Sequence, residues 1–146
     1  MKSEPSEYSI DDLKRDKVAP WFGVRNYLAR NYMRDQMRVG DMILFYHSSC
    51  DAVGVAGIAK VASAPYSDET QFDRQGKYYD PKATKEKPRW QLVDVQFVKK
   101  CKEVIPLAEL RREVALKDMI VLRPGNRLSI TPVTEKEFGA VIDFSA

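Results

Sequence analysis

The sequence predicts an α+β domain: a small, bent, mostly antiparallel sheet or barrel with helices packed on its outside. Three observations predict it. Strand-like runs outnumber helical ones and are interleaved with them irregularly. Glycines at positions 54 and 57 remove side chains within one such run, which favours a bulge or a sharp bend. Two helices carry their own start signals, one near each end of the chain. At 146 residues the chain has the length of a single domain, expected to span 1–146.

The first helix is expected to begin at Ser9, with Ser9 and Asp12 in the two positions of a capping box and Tyr8 stapled against Leu13. It should end before Pro20. A longer helix is expected from Arg25 to Met37, closed by Gly40, with Val24, Leu28 and Tyr32 on one side and Arg30, Arg34 and Arg38 on the other. Strands should follow at Met42–His47 and Val53–Val61. Residues 63–89 form a long polar stretch without periodicity, yet they hold Tyr66, Phe72, Tyr78 and Tyr79, which argues for a functional loop over a disordered one. From Trp90 to Val98 the alternation of Val93, Val95 and Phe97 with Asp94 and Gln96 marks a strand with one buried face. A short helix from Ile105 to Val114, brief strands at Met119–Leu122 and Arg127–Val133, and a helix from Thr134 to Phe144 capped by Thr134 and Glu137 complete the expectation.

Composition narrows the chemistry. With 44% hydrophobic and 31% charged residues the chain is an ordinary globular protein, and a net charge of +3 gives mild attraction to polyanions. Cys50 and Cys101 lie outside any ligand-spaced cluster, so neither a disulfide nor a metal is expected, and no cofactor is implied. No run is apolar enough to span a bilayer and the N-terminal residues lack a secretory apolar core, which predicts an intracellular, cytoplasmic protein, or a nuclear one in a eukaryote. The phosphate-binding patterns GxxxxGK[ST] and GxGxxG are absent. Nucleophilic catalysis would need His47, the only histidine, but its neighbour Ser48 should point to the opposite face of the strand, and GxSxG is missing. The deaminase pattern H-x-E with P-C-x-x-C is missing too. The carboxylate pairs Asp11-Asp12 and Asp68-Glu69 are expected to be caps and solvated loop charges.

What remains is a set of aromatics beside hydrogen-bonding and cationic groups: Trp21 ahead of Arg25-Asn26, Tyr46 beside His47-Ser48, and Tyr78-Tyr79 ahead of Asp80-Pro81-Lys82. A flipped or single-stranded base needs a π-face, donors and acceptors for its edge, and cations for adjoining phosphates. The row Arg30, Arg34 and Arg38 reads as a solvated stripe or as a set of phosphate contacts.

Seven stretches occur in register: KSEP at Lys2–Pro5, W-x-GVRNY-x-ARN at Trp21–Asn31, GD and then LFYHSS within Gly40–Ser49, GVAGIAKV at Gly54–Val61, YYDPK at Tyr78–Lys82, W-x-x-VDVQFV at Trp90–Val98, and RLSITPVT at Arg127–Thr134. Together, over essentially the whole chain, they resemble the EVE domain family of the PUA-like superfamily. The resemblance implies a PUA-like fold, a bent small β-barrel of five or six strands flanked by helices, and distant kinship to the YTH domain, a reader of methylated adenine. It implies a non-catalytic module that recognises a modified base, modified cytosine in DNA above all, with RNA also possible as the nucleic-acid partner. By the same resemblance Lys2, Ser3 and Glu4 would line one wall of the base pocket. Trp21 would stack, with Gly23 and Val24 in its motif, while Arg25 and Asn26 approach from a helix N-terminus. Phe45, Tyr46, His47 and Ser48 would form floor and rim, with Phe45, like Trp90, expected to be mainly core, and Tyr79, Pro81 and Lys82 would close the site from the loop. Relatives usually carry a few apolar residues ahead of KSEP, whereas here Met1 directly precedes it: either the chain starts earlier than Met1 or the first strand is shortened, and a shortened strand would fray and loosen the wall formed by Lys2 to Glu4. A monomer is expected, with no membrane partner. Two alternatives stay open: an RNA-binding accessory module indifferent to modification, and an enzyme acting on a nucleobase or nucleoside through His47.

Overall fold

The computed structural model describes residues 1–145. In chain order the elements are β1 (Lys2–Ser3), α1 (Ile10–Asp16), β2 (Val18–Pro20), α2 (Tyr27–Asn31) running into a π-helical turn at Tyr32–Gln36, β3 (Met42–His47) and β4 (Gly54–Val61). They continue with β5 (Tyr66–Ser67), β6 (Gln91–Leu92), β7 (Asp94–Pro106), α3 (Leu107–Arg112) and α4 (Glu135–Ser145), with 3-10 turns at Glu69–Phe72, Val114–Leu116 and Ile120–Leu122. Five strands make one curled half-barrel sheet in the order β1-β3-β4-β7-β2; β1 runs parallel to β3 and every other pair is antiparallel. β5 and β6 form a separate small ladder.

The curl follows from broken register. Pairing slips between Phe45 and Tyr46 on one side of β4 and between Val55 and Gly57 on the other, and such bulges bend a strand and tighten its twist. At Gly57 an added Cβ would lie 2.5 Å from the Lys99 carbonyl oxygen and 2.7 Å from the Ile10 side chain, so the bare backbone lets β7 and α1 close on the bend.

Both faces of the sheet are covered, and alternation along β3 divides the core in two. Ile43 and Phe45 pack with Ile10, Leu13, Ala29, Met33 and Val95 on one face, while Leu44 and Tyr46 pack with Val55, Ile105, Leu110, Leu116, Met119 and Val141 on the other. The helices start where their caps lie. The Ser9 hydroxyl accepts from the Asp12 amide and the Asp12 carboxylate accepts from the Ser9 amide; Thr134 and Glu137 repeat the exchange ahead of α4.

Several expectations are corrected. The helix expected from Arg25 starts only after Asn26, whose side chain accepts from the Ala29 amide, and it loses α geometry from Tyr32. Arg38 lies beyond its end, so Arg30, Arg34 and Arg38 do not form a row on one regular helix. Met119–Leu122 is not a strand: β1 and β2 hold the two sheet edges, and Met119 and Leu122 enter the core from a tight turn instead. Residues 127–133 have no regular structure, with Pro132 unable to donate to a ladder. β7 runs on to Pro106, and the helix after it begins at Leu107. The first strand is anchored rather than frayed: the Tyr46 amide donates to the Met1 carbonyl (2.9 Å), the Ser48 amide to the Ser3 carbonyl (3.0 Å) and the Lys2 amide to the Ser129 carbonyl (2.8 Å). Among the described residues no helix is long and apolar enough to cross a membrane.

Candidate functional site

An open cleft of about 920 Å³ lies where five segments of the chain converge. Lys2, Ser3, Glu4, Glu7 and Tyr8 line it from β1 and the turn after it, and Pro20 to Arg25 from the end of β2 onward; Ser48 and Ser49 follow β3, Lys77 and Tyr78 come from the long loop, and Asn126, Arg127 and Ser129 lie beside Lys2. Trp21 is half-buried, its amide donating to the Val93 carbonyl (3.0 Å) and its ring set edge-on to Phe45 at 5.6 Å and 89°. Phe45, fully buried, thus fixes the tryptophan from beneath. Phe22 stands 51% exposed at the mouth, edge-on to Tyr78 at 5.9 Å.

Gly23 makes this approach possible. Its φ is +86°, and a Cβ there would fall 2.8 Å from the Tyr78 ring, so position 23 excludes a side chain twice over. Its amide donates to Oδ2 of Asp68 (2.8 Å), a carboxylate only 1% exposed. The same oxygen accepts from Nη1 of Arg25 (3.1 Å), and the Thr70 amide and hydroxyl donate to Oδ1. Arg25 also donates to the Tyr78 carbonyl from Nε (3.0 Å) and Nη2 (2.8 Å). Beneath this node the buried Gln71 amide nitrogen donates to the Asp68 and Trp90 carbonyls, and its oxygen accepts from the Arg89 and Trp90 amides. The loop is therefore held by a satisfied polar interior, and Asp68, expected as a solvated charge, is its centre.

The cleft carries both signs of charge. The Lys2 ammonium donates to the Asn126 carbonyl (3.3 Å), lies 5.9 Å from the Tyr46 ring centre, and has its pKa lowered by burial. Lys77 and Arg127 are exposed at the rim, and Glu4, Glu7 and Asp16 supply carboxylates. Tyr8 is held in its neutral form, first by burial and then by donating its hydroxyl to Asp16 (2.8 Å). Among the described residues no three His, Cys, Asp or Glu side chains gather closely enough to hold a metal ion.

Of the residues expected at a base pocket, the structure brings together Lys2, Ser3, Glu4, Trp21, Gly23, Val24, Arg25 and Ser48. The others stand elsewhere, each for a local reason. Asn26 caps α2. Phe45 and Tyr46 are core residues on opposite faces of the sheet. Tyr79, Pro81 and Lys82 lie past the point where the loop leaves the cleft, which takes Lys77 and Tyr78 in their place. Arg30 donates to the Arg89 carbonyl and to Asn31, Arg34 pairs with Asp35, and Arg38 donates to the Asp35 and Met37 carbonyls, so none is aimed at the cleft. Phe22, Tyr8 and Arg127 escape sequence reasoning. Tyr78 stands with Tyr79 in the set of aromatics ahead of Asp80-Pro81-Lys82, and nothing local separates the two.

His47 also lies away from the cleft. It is buried edge-on to Phe45 at 5.7 Å, and its Nε2 accepts from the Ile10 amide (3.1 Å) at the start of α1. Burial pushes the imidazole pKa down from 6.5, Lys100 adds to this, and Asp11 opposes it. The unfolded chain therefore binds the proton more readily than the folded one. The stability this provides is complete above about pH 6.5 and is lost as pH falls through the lower folded-state value. Denaturation midpoints between pH 8 and 5 should fall below that pH in the parent and stay flatter in His47→Gln, whose amide oxygen can accept from Ile10 without titrating. Parallel curves would remove His47 as the cause.

The EVE domain profile matches residues 1–144. Human thymocyte nuclear protein 1 is 42% identical over 161 residues, taking in 97% of this chain and 71% of that protein. A structure of a hypothetical protein from Leishmania major superposes with a TM-score of 0.95 at 47% identity, covering 99% of this chain and 91% of its own. Human THYN1 protein, solved in complex with DNA containing 5-methylcytosine, superposes with a TM-score of 0.92 at 41% identity over 99% of this chain and 95% of its own. On a match that takes in nearly its full length, and on relatives this similar, the chain belongs to the EVE domain family.

Proposed function

We propose that this protein is a non-catalytic DNA-binding module that reads a modified cytosine. The observation that carries the reading is the cleft itself: a half-buried tryptophan that lines one cleft with Lys2 and Glu4, on the fold shared with the human complex. A base flipped into the cleft would stack on Trp21, as single-stranded bases stack on aromatic platforms. Cytosine presents an N4 amino donor, which a carboxylate such as that of Glu4 accepts, and acceptors that Lys2 can meet. A methyl group at C5 would add apolar contact against the aromatic wall.

Two features favour this reading over the alternatives. The sole imidazole lies outside the cleft and is engaged with the Ile10 amide, which leaves a catalytic reading without its general base. Arg30 and Arg34 are taken up by Arg89, Asn31 and Asp35, which weakens an RNA module driven by that row.

The test is binding to matched DNA and RNA oligonucleotides carrying plain, 5-methylated or 5-hydroxymethylated cytosine, or methylated adenine, at two salt concentrations. A preference for modified cytosine that persists at the higher salt is the expected result. Equal binding that disappears with salt would overturn it. Trp21→Ala should cost about 1 to 3 kcal/mol of binding to the best ligand while the protein stays folded. Unchanged affinity would move the base out of this cleft.

A further inference from the structure

The segment from Asp73 to Arg89 contains six of the protein's 24 basic residues, Arg74, Lys77, Lys82, Lys85, Lys87 and Arg89, and three of its 21 acidic ones. Eighteen of each sign remain in the rest of the chain, so the whole net charge of +3 resides in these residues. They are not a loose tail. The Asp80 amide donates to the Gln71 carbonyl (3.0 Å), its carboxylate accepts from Nε1 of Trp90 (2.7 Å) and from the Lys82 amide (2.9 Å), and the Ala83 and Lys87 amides close turns on the Asp80 and Thr84 carbonyls. Trp90 in turn stacks on Tyr27 at 4.7 Å, and Arg25 grips the Tyr78 carbonyl. On this pinned framework the side chains of Arg74, Lys82, Lys85 and Lys87 are exposed and make no hydrogen bond or ion pair among the described residues. Lys77, nearer the cleft, reaches Glu7 only at 4.0 Å.

We infer that residues 73–89 are a backbone track for nucleic acid: its cations contact the phosphates of the strand whose base enters the cleft at Lys77 and Tyr78. A pinned backbone leaves only side-chain freedom to be lost on binding, and a concentration of one sign on an otherwise charge-balanced protein orients a polyanion on approach. The inference rests on the nucleic-acid reading of the cleft, but it assigns affinity to a different set of atoms from those assigned to base choice. Phosphate contacts position a strand and carry no information about its bases.

The experiment compares three proteins on matched DNA duplexes with one 5-methylcytosine or plain cytosine at the same place: the parent, the triple variant Lys82→Gln, Lys85→Gln, Lys87→Gln, and the control triple Lys14→Gln, Lys102→Gln, Lys117→Gln. Both triples remove the same charge from exposed positions. Affinity is followed against salt. If the track is real, the slope of log affinity against log salt becomes shallower by about 0.9 for each lost contact, or about 2.7 for three, in the first triple alone. Binding to both duplexes should weaken in proportion, leaving their ratio unchanged. Equal slopes in the two triples would overturn the track, and so would a parent that binds neither duplex. A parent that binds both duplexes alike would sink the base-reading proposal, while the slopes would still decide the track.

Discussion

Asp68→Ala should lower the free energy of unfolding by about 3 to 5 kcal/mol, the range found when one member of a buried ion pair is removed. Asp68 is 1% exposed and receives four donors from three residues, Gly23, Arg25 and Thr70. Alanine would take the acceptor from the Gly23 amide and both Thr70 donors, and would remove the carboxylate that pairs with Arg25. Urea denaturation reads the effect as a lower midpoint with an unchanged slope. Asp68→Asn keeps one acceptor oxygen but turns an NH₂ toward a donor, and should fall between the parent and the alanine variant. A loss below about 1 kcal/mol in Asp68→Ala would show that the node is not what holds the loop.

Phe45→Ala should cost a similar amount, about 3 to 5 kcal/mol, through lost burial and the cavity left behind. Phe45 is fully buried and supports both Trp21 and His47 edge-on. The informative companion is Phe45→Leu, which fills most of the volume and should cost about 1.5 kcal/mol or less. That variant separates support from contact. If Phe45 acts only beneath Trp21, the leucine protein should bind its best oligonucleotide almost as tightly as the parent. A loss as large as that of Trp21→Ala would place the ring against the ligand.

Elements that depend on their own residues could be read from the sequence. Ser9 and Asp12, or Thr134 and Glu137, complete their hydrogen bonds within four residues, so the pattern alone locates α1 and α4. β3 and β4 were legible because their apolar runs are bounded by turn residues and must be buried in any arrangement. The failures depend on partners distant in sequence. Met119–Leu122 reads as a strand until both edges of the sheet are seen to be filled. Tyr78 and Tyr79 look interchangeable until Gly23 opens a place for one ring. Asp68 looks like a loop charge because neither Gly23 nor Arg25 is near it in sequence. The Lys-Ser-Glu segment and the tryptophan motif were legible through resemblance; Arg127, carried by an irregular segment, was not.

Lys2 bonds through its amide to Ser129 and through its side chain to Asn126, 124 residues away. Closing so long a span carries an entropic cost that local contacts do not repay, so this seam should join late as the chain folds. During synthesis the wall of the cleft cannot be completed until residue 129 has left the ribosome, long after β3 and β4 have emerged. A nascent chain halted before that point would hold Trp21 in a cleft that still lacks Asn126, Arg127 and Ser129.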